Sequence, residues 1–214
     1  MSIHADSAEP DAGTASLKRR EVIDGARRVF FAKGFDGATM DEIARAAGVS
    51  KATIYVYFDS KEDLFQALVE VDRRKSAERL FEIDEHDPNV AGLLRRIGVT
   101  FMTMMVQPDH IKLVRMVVGA AEKFPKIGQV FFETGPCHGG RRLAALLAHH
   151  VAMGRLVIED CEEAAFQFLN LCQGNLVKGL MFAAGPTPTE AQIATTVDHA
   201  VRVFLAAYAP KPAS

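Results

Sequence analysis

Residues 50–65 read SKATIYVYFDSKEDLF, and two of the chain's three tyrosines fall here one residue apart, in a protein without tryptophan. Scarce rings that also hydrogen-bond, bunched on a short segment, mark either a surface that touches something or a local aromatic knot. Ile54 and Phe58 lie four apart and give a short helix one apolar stripe to bury. Lys51, Ala52, Thr53, Tyr55, Val56 and Tyr57 are left around the other faces. A lysine and hydroxyls can meet phosphates or base acceptors, and small apolar groups can meet thymine methyls, so the face suits double-stranded DNA. Taken alone, the residues also allow a short amphipathic helix with incidental surface tyrosines.

The elements needed to position this face are written around it. In Thr39–Phe58, TMDEIARAAGVSKATIYVYF, an eight-residue helix ends at Ala46-Ala47-Gly48-Val49 and a second starts after Ser50. A glycine-containing turn between two short helices is the helix-turn-helix signature. Ile43, Ala44 and Val49 should face inward, with Ala44 small enough for a close crossing. Thr39-Met-Asp-Glu42 reads as a capping box, and Ser50 and Ser60 as N-caps. Helix starts at Thr39, Ser50 and Ser60 carry free amides and a positive dipole end, which favour an anion such as a phosphate. Lys61 sits in a first helical turn, a poor place for a cation unless an anion is near. Lys18-Arg19-Arg20 pose the same question, and a solvated basic turn answers it equally well.

Composition sets the limits. The chain has 214 residues, 49% of them hydrophobic, and a formal net charge of −2, enough apolar material for a sizeable core. From Ser16 to Lys61 nine Lys and Arg stand against six Asp and Glu, a mild basic bias at one end. The first sixteen residues are small, polar and acidic, and read as a disordered arm without the basic start and apolar run of a signal peptide. No apolar run approaches the roughly 18 residues of a membrane span. Cys137, Cys161 and Cys172 are odd in number and form no C-x-x-C pair, so reduced thiols and a cytoplasmic protein are expected.

Helical periodicity runs almost throughout, and strand-like alternation is absent. Helices are expected near 17–33, 40–47, 51–57, 61–83, 89–106, 109–124, 127–153, 161–184 and 188–208. Asp87-Pro88, Asp160 with Glu163, and Thr187-Pro188-Thr-Glu190 supply starts. Gly34, Gly48, Gly154 and Gly185-Pro186 supply stops. The fold expected is all-α: a disordered arm over 1–16, a helix-turn-helix head over 17–62, and a helical ligand-binding and dimerisation body over 63–210.

The head resembles the TetR family of bacterial transcriptional regulators. The family's T-x-Y-x-x-F-x-S-K-E-x-L-like pattern stands here as Thr53 to Leu64. Its upstream run appears from Ala26 to Ala44, with Phe30, Gly34, Phe35, Thr39 and Ile43 in place. The match covers residues 17–66; Ala38 departs from it where many members carry threonine or serine. The resemblance implies that Lys51, Ala52 and Tyr55 face bases, with Val56 grouped beside them. It implies that Thr39, Thr53, Tyr57 and Lys61 hold phosphates, and Ser50 joins these as a helix start. It also implies a homodimer built from the last two helices of each partner, hence a near-palindromic operator with half-sites about 34–36 Å apart or a little more.

In the body, Leu176, Gly179, Val197, Val201 and Phe204 are the expected dimer interface, with Gly174, Gly179, Ala200 and Ala207 allowing close helix contact. Within the subunit's own core these stripes would serve as well. The resemblance also implies a cavity for a small apolar ligand, expected to be lined by Phe101, Met105, Met116, Phe131, His138, Phe168, Cys172 and Asn175. Met and Phe at helical spacing can equally be plain core. Glu133-Thr-Gly135-Pro136-Cys137-His138-Gly139-Gly140 should kink or briefly unwind its helix. Cys137 and His138 with His149-His150 match no compact metal site. No nucleophile elbow, phosphate-binding glycine loop or catalytic carboxylate pair is present, and no cofactor, metal or enzymatic activity is expected. The expected protein is a DNA-binding regulator, most simply a repressor released by an apolar effector. The alternatives are a helical ligand-binding or enzymatic bundle with a vestigial head, and a regulator that senses oxidants through cysteine.

Overall fold

The computed structural model describes residues 12–80 and 87–211. Among them every regular element is helical: α1 Ala12–Gly37, α2 Met40–Ala47, α3 Lys51–Tyr57, α4 Lys61–Leu80, α5 Val90–Met105, α6 Pro108–Ala121, α7 Pro125–Phe132, α8 His138–Ala152, α9 Cys161–Gln173, α10 Leu176–Met181 and α11 Glu190–Tyr208, with a π turn at Glu133–Cys137 between α7 and α8. The chain forms two compact units, Met1–Leu68 and Val69–Ser214. The boundary falls inside α4, after Leu68 rather than after Glu62, because Leu64, Phe65 and Leu68 are buried and complete the first unit's core.

In the first unit, Val22, Ile23, Ala26 and Phe30 repeat at helical spacing and bury one face of α1. The expected arm over 1–16 is corrected in its last residues, since α1 starts at Ala12; residues 1–11 lie outside the described residues. Gly34, at φ 77°, bends α1 and turns Phe35 inward against Phe30 and Phe65, whose ring centroids lie 5.9 and 5.0 Å from its own. Gly48 takes a left-handed conformation at φ 70° and ends α2 as expected.

The second unit is a helical bundle. One core joins Leu93, Ile97 and Met102 of α5, Leu143 and Leu147 of α8, Phe168 and Cys172 of α9, and Val197, Val201 and Phe204 of α11. α5 crosses α11 and α9 so closely that a Cβ on Gly98 would stand 2.7 Å from Val197 Cγ1 and 3.1 Å from Cys172 Sγ.

Two expected helices are divided. The 127–153 helix becomes α7, the π turn with Pro136 inside it, and α8. The 161–184 helix ends at Gly174, whose backbone at φ 48°, ψ −134° cannot continue an α-helix, and α10 follows separately. Cap positions shift too. Thr189 caps α11 in a reciprocal box with Gln192, two residues after the expected Thr187. At Thr39 only half of the expected box forms: Thr39 Oγ1 accepts from the Glu42 amide at 3.3 Å, while the Glu42 carboxylate takes Lys33 Nζ at 2.6 Å.

Candidate nucleic-acid interface and ligand cavity

The seven-residue α3 starts at Ser50, whose Oγ accepts from the Thr53 amide at 3.0 Å and lies 2.8 Å from the Thr53 hydroxyl. Its inner face is Ile54, fully buried, with Phe58 buried at the C-cap. Lys51, Ala52, Tyr55 and Val56 are exposed around its other faces; Tyr55 is 47% and Val56 75% exposed. Exposing a valine to that degree costs burial free energy that a partner surface would recover. Thr39 and Ser50 are also exposed, and Thr53 and Tyr57 partly so. Lys51 Nζ pairs with Asp41 Oδ2 at 3.0 Å across the turn, and that hydrogen bond raises the lysine's pKa. Both partners are well exposed, so the pair is weak and yields readily to a phosphate.

Lys61, expected to hold a phosphate, is engaged within the head. Its ammonium donates to the carbonyls of Phe35 (2.9 Å), Ala38 (3.2 Å) and Asp36 (3.4 Å), and it lies 4.7 Å over the Phe35 ring. All three N–H donors are spent on the C-terminal end of α1, where a cation is favoured. This resolves the misplaced charge in the first turn of α4 without DNA. Ala38 is buried, so its difference from the family pattern removes nothing from the exposed surface. Val49, expected to face inward, is only partly buried.

The body holds a partly open cavity of about 750 Å³, within the range of small-molecule sites. Phe101, Met104 and Met105 of α5, Ile111 and Val114 of α6, Phe131 and Phe132 of α7, Phe166 and Leu169 of α9 and Met181 of α10 make most of its wall. Its polar side chains are Arg73, His110, Asn170, Gln173 and Lys178.

Of the expected lining, Phe101, Met105 and Phe131 are present and five others are not. With Gln173 on the Phe166 side and Leu169 at the border between cavity and core, Phe168 and Cys172 are turned by about 200° and 240° round α9 from Phe166. They are fully buried in the core, Phe168 packed edge-on against Phe204 at 5.3 Å. Met116 is turned from the cavity for the same reason, two residues beyond Val114. His138 is exposed, carried round to solvent by the π turn, and Asn175 is exposed in the break between α9 and α10.

The expected dimer set is corrected similarly. Val197, Val201 and Phe204 are at most 8% exposed within the subunit, so their area is already used. Leu176 and Gly179 remain partly exposed. Leu171 of α9 and Val203 of α11 are the large apolar side chains left open on these helices.

Arg73 and His110 were not among the expected lining. A signal was present: Arg73 continues the i, i+4 stripe of the buried Phe65 and Val69. Burial, then the nearby Arg73 charge, pushes His110 down to about 4, with Asp72 partly offsetting. The imidazole is therefore neutral at pH 7. Its proton is bound more weakly in the folded than in the unfolded chain, so the associated stability is full above the ordinary value of 6.5 and is lost as pH falls toward 4. His110→Gln should remove about 2 kcal/mol of the stability difference between pH 7 and pH 4.5. Urea titrations of both proteins at the two pH values test this; equal acid losses would sink it.

The cysteines give no support to redox chemistry at the core: burial pushes the Cys172 thiol up to about 12, far from its reactive thiolate. Among the described residues no three His, Cys, Asp or Glu side chains gather as metal ligands, and no helix is long and apolar enough to cross a membrane.

Comparison with known proteins agrees with this arrangement. The family model of bacterial regulatory proteins of the tetR family matches residues 22–68. The model of the AefR-like transcriptional repressor C-terminal domain matches residues 92–210. The HTH-type transcriptional regulator SrpR of Pseudomonas putida is 40% identical over 184 residues, 81% of this chain and 80% of that protein. The HTH-type transcriptional repressor AcnR of Corynebacterium diphtheriae is 39% identical over 67 residues, and the match spans about a third (35%) of its length. Among solved structures, the flavonoid-responsive regulator FrrA superposes with a TM-score of 0.79 at 32% identity, covering 92% of this chain and 100% of that one. A TetR family transcriptional regulator from Pseudomonas syringae pv. tomato str. DC3000 gives 0.73 at 27% identity, covering 91% and 98%. With its two family matches lying one on the helix-turn-helix head and one on the body that holds the cavity, the chain belongs to the TetR family of bacterial transcriptional regulators.

Proposed function

We propose that this chain is a ligand-responsive repressor that binds a near-palindromic operator as a homodimer in the cytoplasm. The observation that carries the reading is α3, capped at Ser50 and buried through Ile54, with Lys51, Ala52, Tyr55 and Val56 outward. Lys51, Ala52, Tyr55 and Val56 read base edges; Thr39, Ser50, Thr53 and Tyr57 hold phosphates. A second copy covers the face left by Leu171, Leu176, Gly179 and Val203. The effector is a small, largely apolar molecule in the body cavity. The name of FrrA, flavonoid-responsive, supports an aromatic one. Effector binding favours a state in which the recognition helices no longer match the half-sites, so effector and operator weaken each other's binding.

The test is a gel shift of fragmented genomic DNA at physiological salt. Wild type should retain one fragment. Val56→Glu, which sets a carboxylate on the outward face of α3, should lower affinity for it about a hundredfold or more through phosphate repulsion and lost apolar contact. Its melting temperature should stay close to wild type because Val56 is 75% exposed. Retention of the fragment by Val56→Glu at wild-type affinity rules out α3 as the reading element. No retained fragment with wild type favours a helical bundle with a vestigial head.

A further inference from the structure

The side chain of Arg73 is only 5% exposed, yet it forms part of the wall of a largely apolar cavity. Its position is built. Nη2 donates to Asp72 Oδ2 at 2.7 Å, and the guanidinium carbon lies 5.2 Å from the centroid of the Phe131 ring. The stem passes Gly135 of the π turn so closely that a Cβ there would stand 3.1 Å from Arg73 Cδ. The Nε–H, however, is buried without a hydrogen-bond partner. A buried donor left unpaired is costly, more so on a charged group. Asp72 already balances the charge, and the neighbouring His110 is neutral and adds none. The guanidinium therefore lacks an acceptor rather than a counter-ion.

We propose that Arg73 is a specificity residue of the cavity, and that the effector is an apolar, ring-bearing molecule with a neutral oxygen acceptor, such as a ketone, that the guanidinium takes. The unpaired Nε–H supplies the donor, and Phe131, in the same wall, supplies an aromatic neighbour for the ring that carries the acceptor. The inference rests on reading the cavity as the effector site.

Two probes of nearly equal shape separate the inference from that reading: benzophenone, with a carbonyl, and diphenylmethane, with a methylene in its place. Each is titrated calorimetrically into the full-length protein and its Arg73→Met variant. A wall without a donor prefers the less polar hydrocarbon. Wild type should instead bind benzophenone about tenfold tighter, as for a hydrogen bond to a charged donor. Arg73→Met should abolish or reverse the preference while still binding diphenylmethane. Equal binding of both probes by wild type overturns the inference and leaves the cavity reading standing; binding of neither overturns both. Tighter binding of diphenylacetate than of benzophenone by wild type also overturns it, in favour of an anion subsite. If Arg73→Met does not fold, Arg73→Lys, which keeps the charge without the Nε–H, carries the test: it should lose the preference, and a preference it keeps overturns the inference in favour of His110, Asn170, Gln173 or Lys178.

Discussion

Phe168→Ala should destabilise the body by about 3–5 kcal/mol, the cost of removing a fully buried aromatic ring and leaving the space behind. Phe168 has no exposed area, packs edge-on against Phe204 at 5.3 Å, and sits where α5, α8, α9 and α11 meet. Phe131→Ala should behave differently. Phe131 borders the cavity and is only partly buried, so its loss enlarges a space that is already open. Stability should change by less than about 1.5 kcal/mol, while affinity for an aromatic probe such as benzophenone falls. Denaturant unfolding of both variants measures the contrast. Were Phe131→Ala the more destabilising of the two, the assignment of Phe168 to the core and Phe131 to the cavity would be wrong.

Gly25→Val should be as damaging to the head. A Cβ on Gly25 would stand 2.6 Å from Ala47 Cβ and 2.7 Å from the Ala47 backbone. The neighbour is main chain at the end of α2, so no side-chain rotation relieves the clash. α1 and α2 would have to separate, and Arg28, which donates to the carbonyl of Ala46, would lose its hold on the same end of α2. Overpacking at a site with no slack costs about 1–3 kcal/mol or more. Because α2 supports α3, operator binding should be lost with it. Chymotrypsin digestion, which cuts after exposed aromatic residues, should cleave the variant in residues 30–58 while leaving the body intact. A Gly25→Val head as resistant as wild type would show that the crossing can open.

The head was legible because each requirement is local. Caps at Thr39 and Ser50, the left-handed Gly48 and the Ile54–Phe58 stripe are set within a few residues of chain, and the structure places them where the spacing does. Lys61 was not, because its partners are the carbonyls at the end of α1, more than twenty residues away and carried by no side-chain pattern. Gly25 was missed for a related reason. A glycine inside a helix does not announce what approaches it, and Ala44 was expected at the crossing of α2 with α3, not at the crossing of α1 with α2 where Gly25 meets Ala47. In the body the apolar stripes marked buried faces but not which were core and which cavity. Phe166 and Phe168 differ in that respect through two positions of helical rotation alone. Gly174 was legible as a small residue, but its left-handed backbone, which ends α9, was not.

The π turn has a consequence for the phase of the helices it joins. Ile127 of α7 and Gly139 of α8 are both buried and lie twelve residues apart. An unbroken α-helix would rotate them out of line by about 120°, and would bring the residue at position 138 nearly into line with Ile127 instead. The turn absorbs one residue, so the buried stripe resumes at Gly139 and runs on through Leu143, Leu147 and His150. Glu133–Cys137 thus carries a one-residue insertion, and losing that one residue would merge α7 and α8 without changing which face of either is buried. The surplus residue also leaves Gly135 beside the Arg73 stem. The shape of the cavity wall there is set by a count of backbone atoms rather than by the identity of any side chain.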